Sequence, residues 1–174
     1  MEKGTIECIM SRGSVRHYTG EPVSKDALLT MVKAGMAAPS AVNVQPWSFV
    51  VITERAVLDK LCAVLPHAQM LSRAGAAIIV CGLPTKDAAV APKFWTMDCT
   101  LASENILLAA HALGYGALWT AVYPDTVKLD AVRSILHIPD EVIPLNVIPV
   151  GVPVPGADTV KDKFDTANIH HEQW

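Results

Sequence analysis

The sequence predicts an α+β domain built around one mixed sheet, and three observations carry that prediction. Helical and extended segments alternate along 174 residues with no internal repeat, low-complexity tract or linker, so residues 1–174 read as a single domain. The strand candidates are continuous apolar runs, which marks them as covered on both faces. The helix candidates carry apolar residues at intervals of three and four, or on nearly every side, and so pack against that sheet.

Taken in order, Thr5 to Ser11 reads as a short helix followed by an extended polar segment through Pro22. Ser24 is placed as an N-cap, Leu28, Leu29, Val32 and Met36 follow at helical spacing, and Pro39 ends the pattern. Trp47 to Thr53 is a β-branched and aromatic run, a buried strand. Glu54 to Leu65 returns to a helical period, and Ala76 to Cys81 is a second strand. Asp98 to Leu113 is the longest helix candidate, with Leu101, Ile106, Leu107, Leu108 and Leu113 spread around it as on an enclosed helix. Gly114 suits its C-cap. Gly116 to Tyr123 reads as a third strand, Asp125 caps a helix reaching Leu136, and Val142 to Gly151 is a fourth strand. Pro144 and Pro149 make that last strand irregular or place it at an edge. The tail, residues 152–174, has little periodicity but holds Phe164, Ile169 and Trp174, anchors expected to dock on another subunit.

Composition narrows the function. The chain is 51% apolar and 18% charged, with a mean hydropathy of +0.32; surplus apolar surface of this kind is normally buried against a partner, so a homodimer is expected. A net charge of −3 from mixed signs argues against nucleic-acid binding. The longest strongly apolar run, Ala74 to Leu83, is too short to span a bilayer, and Met1-Glu2-Lys3 leads into an ordinary mixed helix rather than a signal peptide. Cys8, Cys62, Cys81 and Cys99 form no CxxC pair and read as thiols of a reducing cytoplasm. No metal is expected, since the side chains of His170-His171-Glu172 diverge and no third spaced ligand accompanies them.

Two short segments concentrate the chemistry. Arg12-Gly13-Ser14-Val15-Arg16 puts two cations and a hydroxyl at alternate positions on a stretch leaving a helix, which suits an anion with an extended body. Pro39-Ser40-Ala41-Val42-Asn43-Val44-Gln45-Pro46-Trp47 sets a hydroxyl and two carboxamides between prolines, a stiff loop aiming neutral hydrogen-bonding groups outward. A ligand with a charged end and a flat polar end answers both, and a phosphorylated heterocycle fits. Trp47 reads as core, and Glu104 and Asn105 as structural hydrogen-bonders or interface groups.

These segments, taken with others in the same order, give the chain a resemblance to the FMN-dependent nitroreductases, in their compact branch. The marks are Arg12, Ser14 and Arg16; the loop from Pro39 to Trp47; Asp98 with Glu104-Asn105-Ile106-Leu107-Leu108-Ala109-Ala110; Leu113 to Thr120; Val150 to Pro153; and Lys161-Asp162-Lys163. The resemblance covers essentially the whole chain. It implies a central mixed, mostly antiparallel sheet flanked by helices, in an intertwined homodimer with FMN at the dimer interface. It further implies an NADH- or NADPH-driven ping-pong oxidoreductase acting on a nitroaromatic or quinone-like small-molecule acceptor.

Carried over by position, Arg12, Gly13, Ser14, Lys161 and Lys163 hold the phosphate and Arg16 lies beside the pyrimidine. Pro39, Ser40, Ala41, Asn43 and Gln45 reach the flavin from the partner chain, and Trp119, Ala121 and Val122 run under the ring with an amide donor near residue 121. Lys163 stands where arginine is frequent in the family, exchanging a bidentate contact for a point charge. No protein nucleophile or acid-base pair is required, because the flavin carries the reaction. A non-catalytic flavin-binding sensor or store shares every one of these residues, and a reductive dehalogenase or dehydrogenase uses the same scaffold.

Overall fold

The computed structural model describes residues 4–157 and 160–174; the expectation for Met1 to Lys3 and residues 158 and 159 of the tail lie outside the described residues. Helix α1 (Thr5–Ser11) leads to α2 (Lys25–Met36), where Ser24 accepts the Ala27 amide as N-cap at 3.2 Å. Strand β1 (Trp47–Ile52), helix α3 (Arg55–Val64) and strand β2 (Ala76–Gly82) follow. Then come α4 (Ala91–Ala112), the short strands β3 (Gly116–Ala117) and β4 (Thr120–Ala121), α5 (Thr126–Leu136) and β5 (Ile143–Gly151).

The sheet order is β1-β2-β5-β3, with β4 also on β5, and every strand pair among the described residues is antiparallel. Strand β2 is buried along its whole length because its alternate side chains enter two cores. Ala76, Ile78 and Val80 pack toward α2 and α4 with Leu28, Met31, Ile106 and Ile148. Ala77, Ile79 and Cys81 pack toward α3 and α5 with Leu58, Leu61, Val132 and Val147. Helices on both faces of one sheet account for the continuous apolar reading of β2 and β5, whereas β1, expected to be buried, is an edge strand only partly covered, with Val51 44% exposed.

Two element boundaries are corrected. The long helix begins at Ala91 rather than Asp98: the Asp87 carboxylate accepts the amides of Ala89 and Val90 at 2.9 and 2.8 Å, and a proline falls in the first turn, where its missing N–H costs nothing. The third strand, residues 116–123, is two short strands, interrupted at Leu118 and Trp119. Of the two alternatives for β5, irregular or at an edge, the first holds: β2 lies on one side and β3 and β4 on the other, and the register is broken.

Irregularity is how β5 accommodates its prolines. Its register with β2 shifts between the Val80–Asn146 and Cys81–Pro144 pairs, leaving Leu145 as an extra residue. The Leu145 carbonyl then takes the amides of Val122 and Tyr123, at 3.0 and 3.1 Å. Pro149 lies opposite the break between β3 and β4.

The central helix is enclosed on one side only. Trp95, Cys99, Ala102, Ile106 and Ala110 face the core, whereas Met97 and Leu101 are 56% and 45% exposed. It ends as its sequence predicts, with Gly114 at φ +82° and the Tyr115 amide donating back to the Ala110 carbonyl. Among the described residues no helix is long and apolar enough to cross a membrane.

Candidate functional site

The segment after α1 is fixed to the sheet by its inward residues. Val15 donates its amide to the Ala117 carbonyl at 3.2 Å, the Thr19 amide reaches Val152, and the Val154 amide returns to His17. Val15 and Tyr18 are buried, while Ser14 and Arg16 point to solvent and Arg12 is half-buried. The Tyr18 hydroxyl donates to the carbonyls of Val15 and Pro149, at 2.8 and 3.3 Å, and burial pushes its pKa up against the opposing charge of Arg16. Turning Val15 and Tyr18 inward along an extended segment therefore separates anchors from cations.

The outward residues line a cavity of about 730 Å³. Its wall includes Arg12, Gly13, Ser14 and Arg16 from this segment, and Lys161, Asp162 and Lys163 from the tail. Four cations thus converge from regions some 150 residues apart in sequence, with one carboxylate among them. Asp162 is engaged locally, accepting the Phe164 amide at 3.1 Å. Phe164, Ile169 and Trp174 are exposed, and the His170 ring stacks on Trp174 at 4.2 Å.

A second cavity, about 400 Å³, shares Arg16 with the first. Trp119, Thr120 and Ala121 form one wall, and Pro66, His67, Gln69 and Met70 another. That second wall was not signalled by the sequence, because the connection after α3 has no motif and reaches the cavity only through the path of the chain. Val122 is placed differently from Trp119 and Ala121. Its side chain is buried in the α3–α5 core, and its amide is committed to Leu145, so it supports the wall from behind.

The loop with the hydroxyl and carboxamides stands apart. Pro39, Ser40, Ala41, Asn43 and Gln45 line neither cavity. Val42, Asn43 and Gln45 have φ of 42°, 60° and 54°, a run of left-handed residues that the surroundings must enforce. Asp98, almost fully buried on α4, accepts the Ala41 amide at 3.1 Å; the Ser40 hydroxyl accepts the Gln45 amide at 2.9 Å; Lys86 donates to the Gln45 carbonyl. The carboxamides of Gln45 and Asn43 are joined at 3.0 Å, and Val42 is exposed at the tip. Strain held by a buried carboxylate presents polar groups outward.

The chemistry of this donor set fits a phosphorylated ligand. An arginine fork, lysine point charges and a serine hydroxyl neutralise a phosphate, and the cavity is of the size that small ligands occupy. Arg16 stands between that anion end and the compartment walled by Trp119 and Ala121.

Comparison with known proteins agrees with this geometry. The sequence profile described as the nitroreductase family matches residues 9–66 and 62–152. The chain belongs to the nitroreductase family. A relative from Methanothermobacter thermautotrophicus, provisionally named NADH dehydrogenase/NAD(P)H nitroreductase, is 42% identical over 169 residues, covering 97% of this chain and 87% of its own. One of the same name from Archaeoglobus fulgidus is 39% identical over 171 residues, covering 97% and 98%. The crystal structure of a similarly named protein from Parabacteroides distasonis superposes with a TM-score of 0.92 at 44% identity, covering 99% of this chain and all of that one. The family membership fits an α+β sheet with helices on both faces.

Proposed function

We propose that the protein is an FMN-dependent NAD(P)H oxidoreductase that works as a homodimer and delivers electrons, in a ping-pong cycle, to nitroaromatic or quinone-like acceptors. The observation that carries this reading is the convergence of Arg12, Ser14, Lys161 and Lys163 on one cavity, joined through Arg16 to a second compartment under Trp119 and Ala121.

The redox chemistry is what FMN supplies when bound. Arg12, Lys161, Lys163 and the Ser14 hydroxyl hold the phosphate. Arg16 sets a positive charge beside the pyrimidine, where negative charge develops on reduction. Trp119 and Ala121 form the floor, and the commitment of the Val122 amide to Leu145 leaves donation toward the ring to the residues before it.

The homodimer is supported by two features. Ile6 and Met10 on α1 and Met97 and Leu101 on α4 leave apolar surface exposed, 70% or more for the first pair. The loop 39–45 lines neither cavity of its own chain, so Ser40, Asn43 and Gln45 act on the cofactor bound to the other protomer. The tail, with exposed Phe164, Ile169 and Trp174, docks on that protomer as well. Four unpaired thiols suit a reducing cytoplasm.

The test is the absorption spectrum of the purified protein, followed by anaerobic titration with NADH and NADPH. Flavin absorbance that bleaches with either nicotinamide supports the enzyme. Colourless protein that stays so after addition of FMN contradicts it, and flavin that neither nicotinamide reduces marks a binding protein instead.

A further inference from the structure

Helix α4 holds the end of α1 along one stripe. Glu104, Leu108 and His111 lie four and three residues apart, on one helical face. The Cys8 thiol donates to the Leu108 carbonyl at 3.5 Å, Ser11 Oγ and His111 Nε2 are 2.8 Å apart, and Glu104 Oε1 lies 3.3 Å from Arg12 Nε. The first two contacts fix where the chain enters the cation-lined cavity. The third acts on the guanidinium itself.

We propose that Glu104 is a positioning residue for phosphate recognition: its charge draws the Arg12 guanidinium by the Nε side and so presents the two terminal amino groups to the anion. Among the described residues Arg12 is the one cation of that cavity paired with a carboxylate. The carboxylate approaches the guanidinium on its Nε side as an ion pair, which leaves the terminal amino groups to the anion, and a guanidinium recognises phosphate best through two parallel N–H donors. An arginine side chain free to rotate loses that orientation entropy on binding; one already held has lost most of it. Arg12 is also the less exposed partner, its side chain 17% accessible against 50% for Glu104, so the carboxylate sits on the solvent side as a tether. An ion pair this exposed adds little to fold stability.

This inference rests on the proposed phosphate site, and the experiment separates the two. Affinities for FMN and for riboflavin, which lacks the phosphate, are measured by quenching of flavin fluorescence for wild type, Arg12→Ala, Glu104→Gln and the double variant, with thermal melts alongside. Glu104→Gln is expected to weaken FMN roughly threefold to tenfold, the cost of ordering one long side chain, with riboflavin affinity and melting temperature unchanged. In the Arg12→Ala background the same change has no further effect. Equal losses for both flavins, a loss that persists without Arg12, an unchanged FMN preference, or tighter FMN each overturn the positioning role. If Arg12→Ala itself leaves the preference for FMN over riboflavin intact, the phosphate site is misassigned and the inference falls with it.

Discussion

Gly116 and Gly151 face each other across the β3–β5 pair, and each leaves room for a side chain of the cationic segment. A Cβ on Gly116 would stand 2.6 Å from Val15, and one on Gly151 would stand 2.9 Å from Tyr18. The slot made by two glycines thus seats the two inward residues that carry Arg12, Ser14 and Arg16 to the cavity. Neither contact leaves space for a methyl group.

Gly116→Ala is therefore expected to push Val15 off the sheet at a cost of about 1–3 kcal/mol, the usual penalty of overpacking. Flavin retention falls with it, since the cations move with Val15. Thermal melts and FMN titration of the purified variant check both effects; unchanged FMN affinity would show that the seat does not position the cations.

In the proposed phosphate site, Arg12→Ala and Lys163→Ala each remove a charge-assisted contact. Such contacts contribute about 1.5–3 kcal/mol, so each change is expected to weaken FMN roughly tenfold to a hundredfold, with the smaller loss at Lys163. Size-exclusion chromatography should still report a dimer. FMN affinity unchanged in both variants would place the phosphate elsewhere.

The thiols divide by burial. Cys81 and Cys99 are pushed up to about 12 by desolvation, with Asp98 and Cys81 adding to the effect at Cys99. Cys8 is also buried and Cys62 is partly exposed. An alkylating reagent at neutral pH is expected to modify Cys62 first in the native protein and all four thiols once it is denatured. Peptide mass mapping reads the order, and early modification of Cys99 would contradict the packing around it.

Asp125 caps α5 by accepting the Lys128 amide at 3.2 Å and pairing with its ammonium at 3.1 Å. The backbone hydrogen bond, then the side-chain contact, holds its carboxyl below the ordinary aspartate range. Folding therefore favours the ionised form, and the stabilisation is present above the unfolded pKa and lost as pH falls through the lower folded value. Asp125→Ala is expected to melt below wild type near neutral pH, with the gap closing in acid. A gap independent of pH would show that the charge is not what caps the helix.

Much of this was legible in the sequence where one residue carries one local job. Ser24 and Asp125 start their helices and Gly114 ends its own as capping chemistry requires, and the unbroken apolar run from Ala76 to Cys81 announces the strand that the fold covers on both faces. The sequence falls short where a distant partner decides. Pro144 and Pro149 leave open whether their strand is irregular or at an edge, and the fold decides for an interior β5 in which a bulge at Leu145 and the gap between β3 and β4 absorb them. Val122 continues the apolar run of its neighbours, but the Leu145 carbonyl turns it into the core. The wall formed by Pro66, His67, Gln69 and Met70 has no local signature at all. Glu104 and Asn105 read alike in sequence and part company in the fold: Asn105 ties α4 to the Ala34 carbonyl of α2 at 3.0 Å, and Glu104 meets Arg12.

The central claim is that each flavin site takes its cations from one chain and its carboxamide loop from the other. Differently tagged Arg12→Ala and Asn43→Ala chains, co-expressed and purified as mixed dimers, test it most directly through flavin content and FMN affinity. Sites shared between chains leave one site in each mixed dimer with both Arg12 and Asn43 intact, so one flavin per dimer should bind with wild-type affinity. Sites built within one chain would carry a defect in every case, and mixed dimers with no wild-type site would contradict the account.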